Sequence, residues 1–352
     1  MQVVLGVDAG GTSSRAAVFT VAGEPLRRGQ AGGANPGALG PDRAAANLTA
    51  AVRAALAGID PAQVRGVVVG LAGSPGRCAE LTERVFRDLL PGGVRGETAG
   101  SLPVRTVGDV VTAFAAGTPA PSGTVLISGT GAIAAKITDH VPVATADGYG
   151  WQLGDEGSAF WLGRAAARAT IRALDGGIPE GGVPAGGLVA SVVDRLVPEG
   201  LNGLDGAIGV DGSGRPDGAG SDLAGGSGGE LVARVAAAVH ARPPLALAEL
   251  APLVSRAARD GDPTAVSIVA EAASRLVRTV SEVHEPGLPI VLAGSVLTAE
   301  GPVRDAVQGL LEGASPAVAG DPAGAAAWLA ARPFLDPRES QARHPRFVRP
   351  AT

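Results

Sequence analysis

Apolar and polar positions alternate most clearly at the start of the chain. Val3-Val4-Leu5-Gly6-Val7 and Arg15-Ala16-Ala17-Val18-Phe19 are two β-rich runs, and between them lies Asp8-Ala9-Gly10-Gly11-Thr12-Ser13-Ser14. Period-two patterning with Gly-Gly at the tip predicts a β-hairpin. The same device returns at Thr124-Val125-Leu126-Ile127-Ser128-Gly129-Thr130-Gly131, followed by a second β-rich run from Ala132 to Ile137. A near-repeat separated by about a domain's length predicts a duplicated fold, with two hairpins facing each other across a cleft.

The remaining pattern fills in each half. Glu24 to Gln30 can add a third strand, and Ala31 to Gly37 is too glycine-rich for regular structure. Pro41-Asp42 opens a helix that runs to about Ala57, and Val64 to Val69 reads as a buried parallel strand ending in the loop Gly70 to Gly76. A helix over Ala79–Leu90, a strand over Val104–Val107 and a short helix over Val110–Ala116 follow. Gly117 to Gly123 is the natural boundary between halves. Beyond the second hairpin come a strand at Val141–Thr145, the run Gly148-Tyr149-Gly150-Trp151-Gln152-Leu153-Gly154-Asp155-Glu156-Gly157-Ser158, and a helix to about Leu174. Residues 198–229 are Gly-rich and predict a mobile loop or insertion. Helices return at Leu231–His240, Leu245–Arg259 and Pro263–His284, then a strand at Pro289–Ala293 and a helix at Val303–Leu311. The tail from Arg332, with four prolines, is expected to be poorly ordered. In each half, three meander strands precede alternating helices and strands. The prediction is α/β with mixed sheets, twice, divided as residues 1–117, 118–331 and a tail of 332–352.

Composition narrows the classes of function. A length of 352 residues suits two domains. Hydrophobic residues make up 45% of the chain, yet no run of about 18 of them exists, so no membrane partner is expected. The start, Met1-Gln2-Val3-Val4, has no basic region and enters a strand at once, which predicts a cytoplasmic protein without a signal peptide. Cys78 is the single cysteine, which excludes a disulfide framework, a cysteine zinc site and a self-contained cysteine-ligated iron–sulfur cluster. A net charge of −5 gives no footprint for nucleic acid. Lys136 is the single lysine, so basic function rests on arginine.

The two turns carry the first chemistry. Glycines there leave backbone N–H groups open to a ligand, and the Thr12 and Ser13 hydroxyls suit phosphate oxygens. Asp8, at the end of a buried strand, is placed to hold Mg²⁺ through water. Two facing turns of this kind form a clamp for a nucleoside triphosphate.

The order Asp8-Ala-Gly-Gly-Thr12, Gly108-Asp109, Ser128-Gly-Thr-Gly131, Gly154-Asp-Glu-Gly-Ser158 and Ala293-Gly-Ser295 resembles the N-acetylglucosamine kinases. They belong to the BadF/BadG/BcrA/BcrD-type ATPase family of the actin–hexokinase–Hsp70 superfamily, and the likeness covers roughly residues 1–330. The resemblance implies two duplicated ribonuclease H-like (actin-like ATPase) domains, each a mixed five-stranded sheet flanked by helices. It implies ATP and Mg²⁺ as cofactors, a homodimer, and transfer of the γ-phosphate to the 6-hydroxyl of N-acetylglucosamine. Gly10, Gly11 and Thr12 would hold the phosphates from one side and Gly129, Thr130 and Gly131 from the other. Gly294 and Ser295, with Gly261, would sit near the adenosine. Sugar contacts would come from Asn35, Ser74, Gly148, Tyr149, Gly150 and Asp155.

Phosphoryl transfer to a sugar hydroxyl also needs a proton acceptor, and Asp109 at a strand end is the candidate general base. An Asp there also suits an ordinary N-cap. Asp155 likewise precedes a helix with Ser158 three residues on, so sugar binding and capping both stand. Asn35 reads as ligand or turn residue, and Tyr149 as stacking platform or packing residue. Trp161 reads as core, the four histidines as structural or solvated, and Glu156 as an Mg²⁺ helper or a helix-dipole acid. Glucosamine, muramic-type sugars and glucose would use the same hydroxyl and base. An electron-delivering activator of a dehydratase needs two cluster thiolates per chain, whereas Cys78 supplies one. An actin-like module hydrolysing ATP without a sugar is the remaining class.

Overall fold

A computed structural model describes residues 1–90, 103–176, 186–198, 223–311 and 313–349. The chain opens with β1 (Val3–Ala9), β2 (Ser13–Thr20) and β3 (Pro25–Gly32), an antiparallel meander. Then follow α1 (Pro36–Leu39), α2 (Pro41–Leu56), β4 (Val64–Leu71), α3 (Pro75–Leu89) and β5 (Val104–Gly108). The sheet order is β3-β2-β1-β4-β5, with β4 and β5 parallel to β1. The helix α4 (Asp109–Ala115) carries the chain across to β6 (Gly123–Ser128), β7 (Ala132–Thr138) and β8 (Val141–Asp147). Five helices come next: α5 (Ala159–Asp175), α6 (Leu188–Leu196), α7 (Leu223–His240), α8 (Ala251–Arg259) and α9 (Pro263–Ser281). The chain ends with β9 (Ile290–Ala293), α10 (Ser295–Thr298), α11 (Pro302–Leu310), β10 (Ala317–Val318), α12 (Pro322–Ala331) and α13 (Pro337–Val348). The second sheet, β10-β9-β6-β7-β8, repeats the first in order and direction. Two mixed five-stranded sheets flanked by helices are therefore present, as expected. No helix among the described residues is long and apolar enough to cross a membrane.

Three cores explain the layers. On the outer face of the first sheet, Val3, Leu5 and Val7 pack with Leu48, Val52, Leu81 and Phe86 of α2 and α3. Outside the second sheet, Trp161, Leu162, Leu276 and Val280 anchor α5 and α9. Between the sheets, Val4 and Phe19 from one side and Val125, Ile137 and Val291 from the other close on Phe114 of α4 and on α12. α12 is apolar all round (Ala323 to Ala331 are all buried), which suits a helix enclosed on every side. Its backbone reaches the first sheet at Gly6, where a Cβ would lie 2.1 Å from both Ala323 O and Ala327 N.

The end of the chain departs from the sequence reading. Residues 322–331, grouped there with the second half, pack on β1 and β4 of the first sheet. The tail from Arg332 is not disordered up to Arg349: α13 forms, with Asp336 accepting from Glu339 N at 2.9 Å and Pro337 in its first turn. Phe347 is fully buried, 5.0 Å from the Phe19 ring. Proline in the first helical turn costs nothing, and a buried aromatic holds the segment down. Of the 198–229 stretch, residues 199–222 lie outside the described residues, and α7 already begins at Leu223. Pro36–Leu39, expected to be irregular, makes one helical turn under Asn35.

Gly6→Ala should therefore lose roughly 1–3 kcal/mol of stability through overpacking against rigid backbone. Gly10→Ala, whose Cβ would meet nothing within 4 Å, should stay within about 0.5 kcal/mol of the parent. Urea denaturation of both variants checks the contrast, and equal losses would contradict the packing described.

Candidate active site

The first turn is built to present backbone donors. Gly10 N donates to Ser13 O at 3.0 Å, and Ala34 N donates to Gly10 O at 2.9 Å, which docks the 31–37 loop on the turn. Asn47 of α2 donates to Gly33 O at 2.7 Å and fixes that loop from behind. Gly11 N and Thr12 N have no acceptor among the described residues, and both residues are exposed. Ala72 N donates to Ala9 O at 3.0 Å, so the loop after β4 joins the same edge.

Asp8 and Asp109 meet at this edge. The Thr112 hydroxyl donates to Asp8 Oδ1 at 2.7 Å, with the Asp109 carbonyl 2.9 Å from the same hydroxyl. Burial pushes the Asp8 carboxyl up to about 7, the Thr112 hydrogen bond pulls against this, and the neighbouring Asp109 charge adds to the rise. Burial also pushes the Asp109 carboxyl above the ordinary carboxylate range. Asp109 is not the N-cap of α4. Gly108 holds that position, and Asp109 Oδ1 accepts from Val110 N at 3.0 Å.

Asn35 takes the turn role that its sequence context also allows, and Ser74 keeps a free hydroxyl. Asn35 is the N-cap of α1, its Oδ1 accepting from Gly37 N at 2.9 Å and Ala38 N at 3.3 Å. Its amide nitrogen has no partner among the described residues. Ser74 stands at the N-cap position of α3 without using its hydroxyl, which stays exposed. A Cβ on Gly73 would lie 3.4 Å from both Asn35 Oδ1 and Cys78 Sγ, and the Asp109 charge acts on the Cys78 thiol. Asn35, the 72–74 loop and Asp109 thus converge on one edge of the first sheet.

The second turn rests on α5. Ala159 N donates to Gly129 O at 2.8 Å and Phe160 N to Thr130 O at 3.3 Å, while Gly129 N donates to Gly131 O at 2.9 Å. Thr130 N and Gly131 N have no acceptor among the described residues. Gly294 lies against this turn with φ +82, and a Cβ there would sit 2.3 Å from Ser128 O, so only glycine suits the position. Ser295 follows beside Gly129. Gly261, by contrast, ends α8 in a left-handed turn whose neighbour Arg259 donates to Glu300 O at 2.5 Å. No hydrogen bond joins Gly261 to either turn among the described residues.

The 147–157 loop shows what sequence reasoning missed. Asp147, at φ +61, accepts from Gly148 N and Asp155 N through Oδ1, both at 2.7 Å, and from Glu156 N through Oδ2 at 2.8 Å. One carboxylate therefore closes the loop at both ends. Tyr149 is displayed outward, 68% exposed. Asp155 lies under the second turn. It is buried, and its Oδ1 accepts from Ala132 N at 3.0 Å. It does not cap α5, because the Ser158 hydroxyl accepts from Trp161 N at 3.1 Å and does so. Burial raises the Asp155 carboxyl above its ordinary range. Glu156 pairs with Arg275, whose guanidinium lies 5.1 Å from the Trp161 ring, so it is not free for a metal. Trp161 is core, as expected. His140 and His344 are buried against Trp328, which is a structural role.

The inter-sheet core reaches both the Asp109 strand end and the second turn. Val107, two residues before Asp109, and Ile127 and Ile133, which flank the second turn, all pack at its margin. Two turns with unpartnered N–H groups among the described residues and two acids of raised proton affinity can bind a phosphate chain and take a proton from a hydroxyl.

Comparison with known proteins agrees with this fold. The model of a family described as BadF/BadG/BcrA/BcrD ATPase matches residues 5–319. A solved structure from Chromobacterium violaceum, provisionally named an N-acetylglucosamine kinase, superposes with a TM-score of 0.67 at 24% identity, covering 94% of this chain and 99% of that one. A second, from Porphyromonas gingivalis and provisionally named alike, gives 0.64 at 20% identity, covering 98% and 99%. At these identities the likeness is one of fold.

The raised Asp8 carboxyl sets a direction for stability against pH. Between about pH 4 and 7 the folded chain holds a proton there that the unfolded chain has released, so folding stability from this group falls as pH rises and stays low above that window. Asp8→Asn keeps an acceptor for Thr112 and loses that dependence. In metal-free buffer its melting temperature, relative to the parent, should rise from about pH 4 to about pH 8; a flat difference would contradict the burial described.

Proposed function

The chain belongs to the BadF/BadG/BcrA/BcrD ATPase family, and from that membership we propose an ATP-dependent kinase acting on the 6-hydroxyl of N-acetylglucosamine. The observation that carries the reading is Asp109: a half-buried carboxyl of raised proton affinity, on the sheet edge where Asn35, the 72–74 loop and the first turn converge. A carboxylate that binds a proton more readily than in water is suited to accept one from a sugar hydroxyl as its oxygen attacks.

In this reading Gly11 N and Thr12 N hold the β- and γ-phosphates from the first lobe, and Thr130 N and Gly131 N from the second. Fixed N–H dipoles aimed at the transferring group stabilise charge without reorganising. The bond from the γ-phosphorus to its bridging oxygen breaks, the sugar oxygen bonds to phosphorus, the proton passes to Asp109, and ADP leaves. Gly294 and Ser295 border the adenosine; Gly261 is at most an outer neighbour. The Asn35 amide, the Ser74 hydroxyl and the Gly148-Tyr149-Gly150 turn bind the sugar. Asp155 serves by bracing the second turn through Ala132 N.

Mg²⁺ fits the donor set. Asp8 keeps Oδ2 without a partner, and no three His, Cys, Asp or Glu side chains form a metal cage among the described residues. An ion bridged by water to Asp8 would take its other ligands from phosphate, and when bound it supplies charge neutralisation of the phosphates. A cytoplasmic setting, where ATP is supplied, goes with this reading.

A coupled ADP-release assay over N-acetylglucosamine, glucosamine, N-acetylmuramic acid and glucose tests the reading. ADP release should depend on sugar and be fastest with N-acetylglucosamine; preference for another sugar revises the substrate, and sugar-independent release overturns the kinase. Asp109→Asn, which keeps the acceptor for Val110 N, should lose roughly 10²–10⁴ in kcat with folding retained.

A further inference from the structure

One side chain joins the loop after β8 to the second turn. Asp147 ends β8 directly across the β7–β8 ladder from Ile133, two residues past that turn. Its Oδ1 accepts from Gly148 N and Asp155 N, and its Oδ2 from Glu156 N. Gly154 leaves room for this carboxylate, because a Cβ there would lie 2.0 Å from Asp147 Oδ1. Asp155 sends its own carboxyl to Ala132 N, and a Cβ on Gly131 would lie 2.6 Å from its Oδ1. Two residues on, Gly157 O accepts from the Ser128 hydroxyl at 3.1 Å. Ser128 and Ala132 are the two feet of the second turn, so residues 155–157 grip it from both sides. Residues 148–154, by contrast, make no backbone–backbone hydrogen bond to that turn among the described residues. The Gly148-Tyr149-Gly150 turn reaches the Gly129-Thr130-Gly131 turn by a relay, Asp147 to Asp155 N and Asp155 to Ala132 N. The Trp151 ring, 5.5 Å from that of Phe160, adds an apolar tie. Left-handed backbone is unusual for a residue with a side chain, and Asp147 adopts it at φ +61 where its carboxylate meets three N–H groups.

We propose that Asp147 is a positioning residue that couples the sugar to the nucleotide, so that each binds more tightly when the other is present. The proposal rests on the kinase reading, in which the sugar meets residues 148–150 and the phosphates meet residues 129–131. A sugar that fixes the first of these turns also fixes the backbone at Asp155 and Glu156, and through Ala132 N the turn that receives the phosphates. Such coupling is reciprocal by thermodynamic necessity. Hydrogen bonds to a carboxylate are the stronger kind, and three on one group make a stiff joint.

Calorimetric titration of N-acetylglucosamine with and without saturating AMPPNP, and of AMPPNP with and without the sugar, tests this in the parent, Asp147→Gly and Asp147→Asn. Glycine suits the left-handed backbone and removes the carboxylate. Asparagine keeps one acceptor oxygen and sets an NH2 group against an N–H. In the parent each ligand should tighten the other by roughly 5–150-fold. In Asp147→Gly that factor should fall to within about twofold of unity while AMPPNP alone still binds, and Asp147→Asn should lie between. A purely structural role would lower the melting temperature of Asp147→Gly and leave the factor at its parent value, which would overturn the proposal. A parent-like factor in Asp147→Asn, or a parent whose two ligands bind independently, would overturn it as well, and each of these results leaves the kinase reading intact. A parent that binds AMPPNP but no N-acetylglucosamine, alone or together, would sink both.

Discussion

Everything in this molecule depends on how closely α12 lies against the first sheet. A strand and a helix normally keep their backbones apart by the width of their side chains. Here Gly6 removes the side chain from the sheet and alanine removes it from the helix, so Ala323 O and Ala327 N nearly touch the strand. α4 sits beside it, with Phe114 against Gly123 and Thr112 against Gly70. Two thin helices between two sheets hold the lobes at a fixed spacing while the strand ends remain open. Interiors packed at this density do not deform smoothly.

That arrangement also sets the electrostatics. The central strand β1 is buried on both faces, and its last acid, Asp8, is carried into partial burial with it. α4 places Asp109 and Thr112 next to it, so two carboxyls share a poorly solvated edge and both are pushed upward. Arg15, directly across the ladder from Asp8, forms no ion pair among the described residues, though its charge acts on Asp8. Half-buried acids of raised proton affinity are costly alone. Together they suit a site that receives an anionic chain and a hydroxyl.

Much of this was legible in the sequence, because the decisive features are local. Gly-Gly-Thr and Gly-Thr-Gly between β-rich runs mark turns through backbone freedom, and their repetition marks a duplicated sheet. What escaped was set by distant contacts. α12 has no amphipathic face to betray it, since it is enclosed on all sides, and α13 hides behind four prolines until Phe347 meets Phe19. Asp155 stands in a suggestive motif, but Asp147 holds its backbone and Ala132 N takes its carboxyl. Nothing in spacing distinguishes Asp147 from a strand-end acid. Its three accepted N–H groups come from a loop that folds back on itself, a fact of geometry alone.

The central claim is that two turns on separate lobes close on one nucleotide. Amide hydrogen exchange at residues 10–12 and 129–131, followed through an AMPPNP titration, addresses it directly. Both segments should slow together, with one shared dissociation constant. Protection confined to one turn, or two unlinked binding curves, would contradict it.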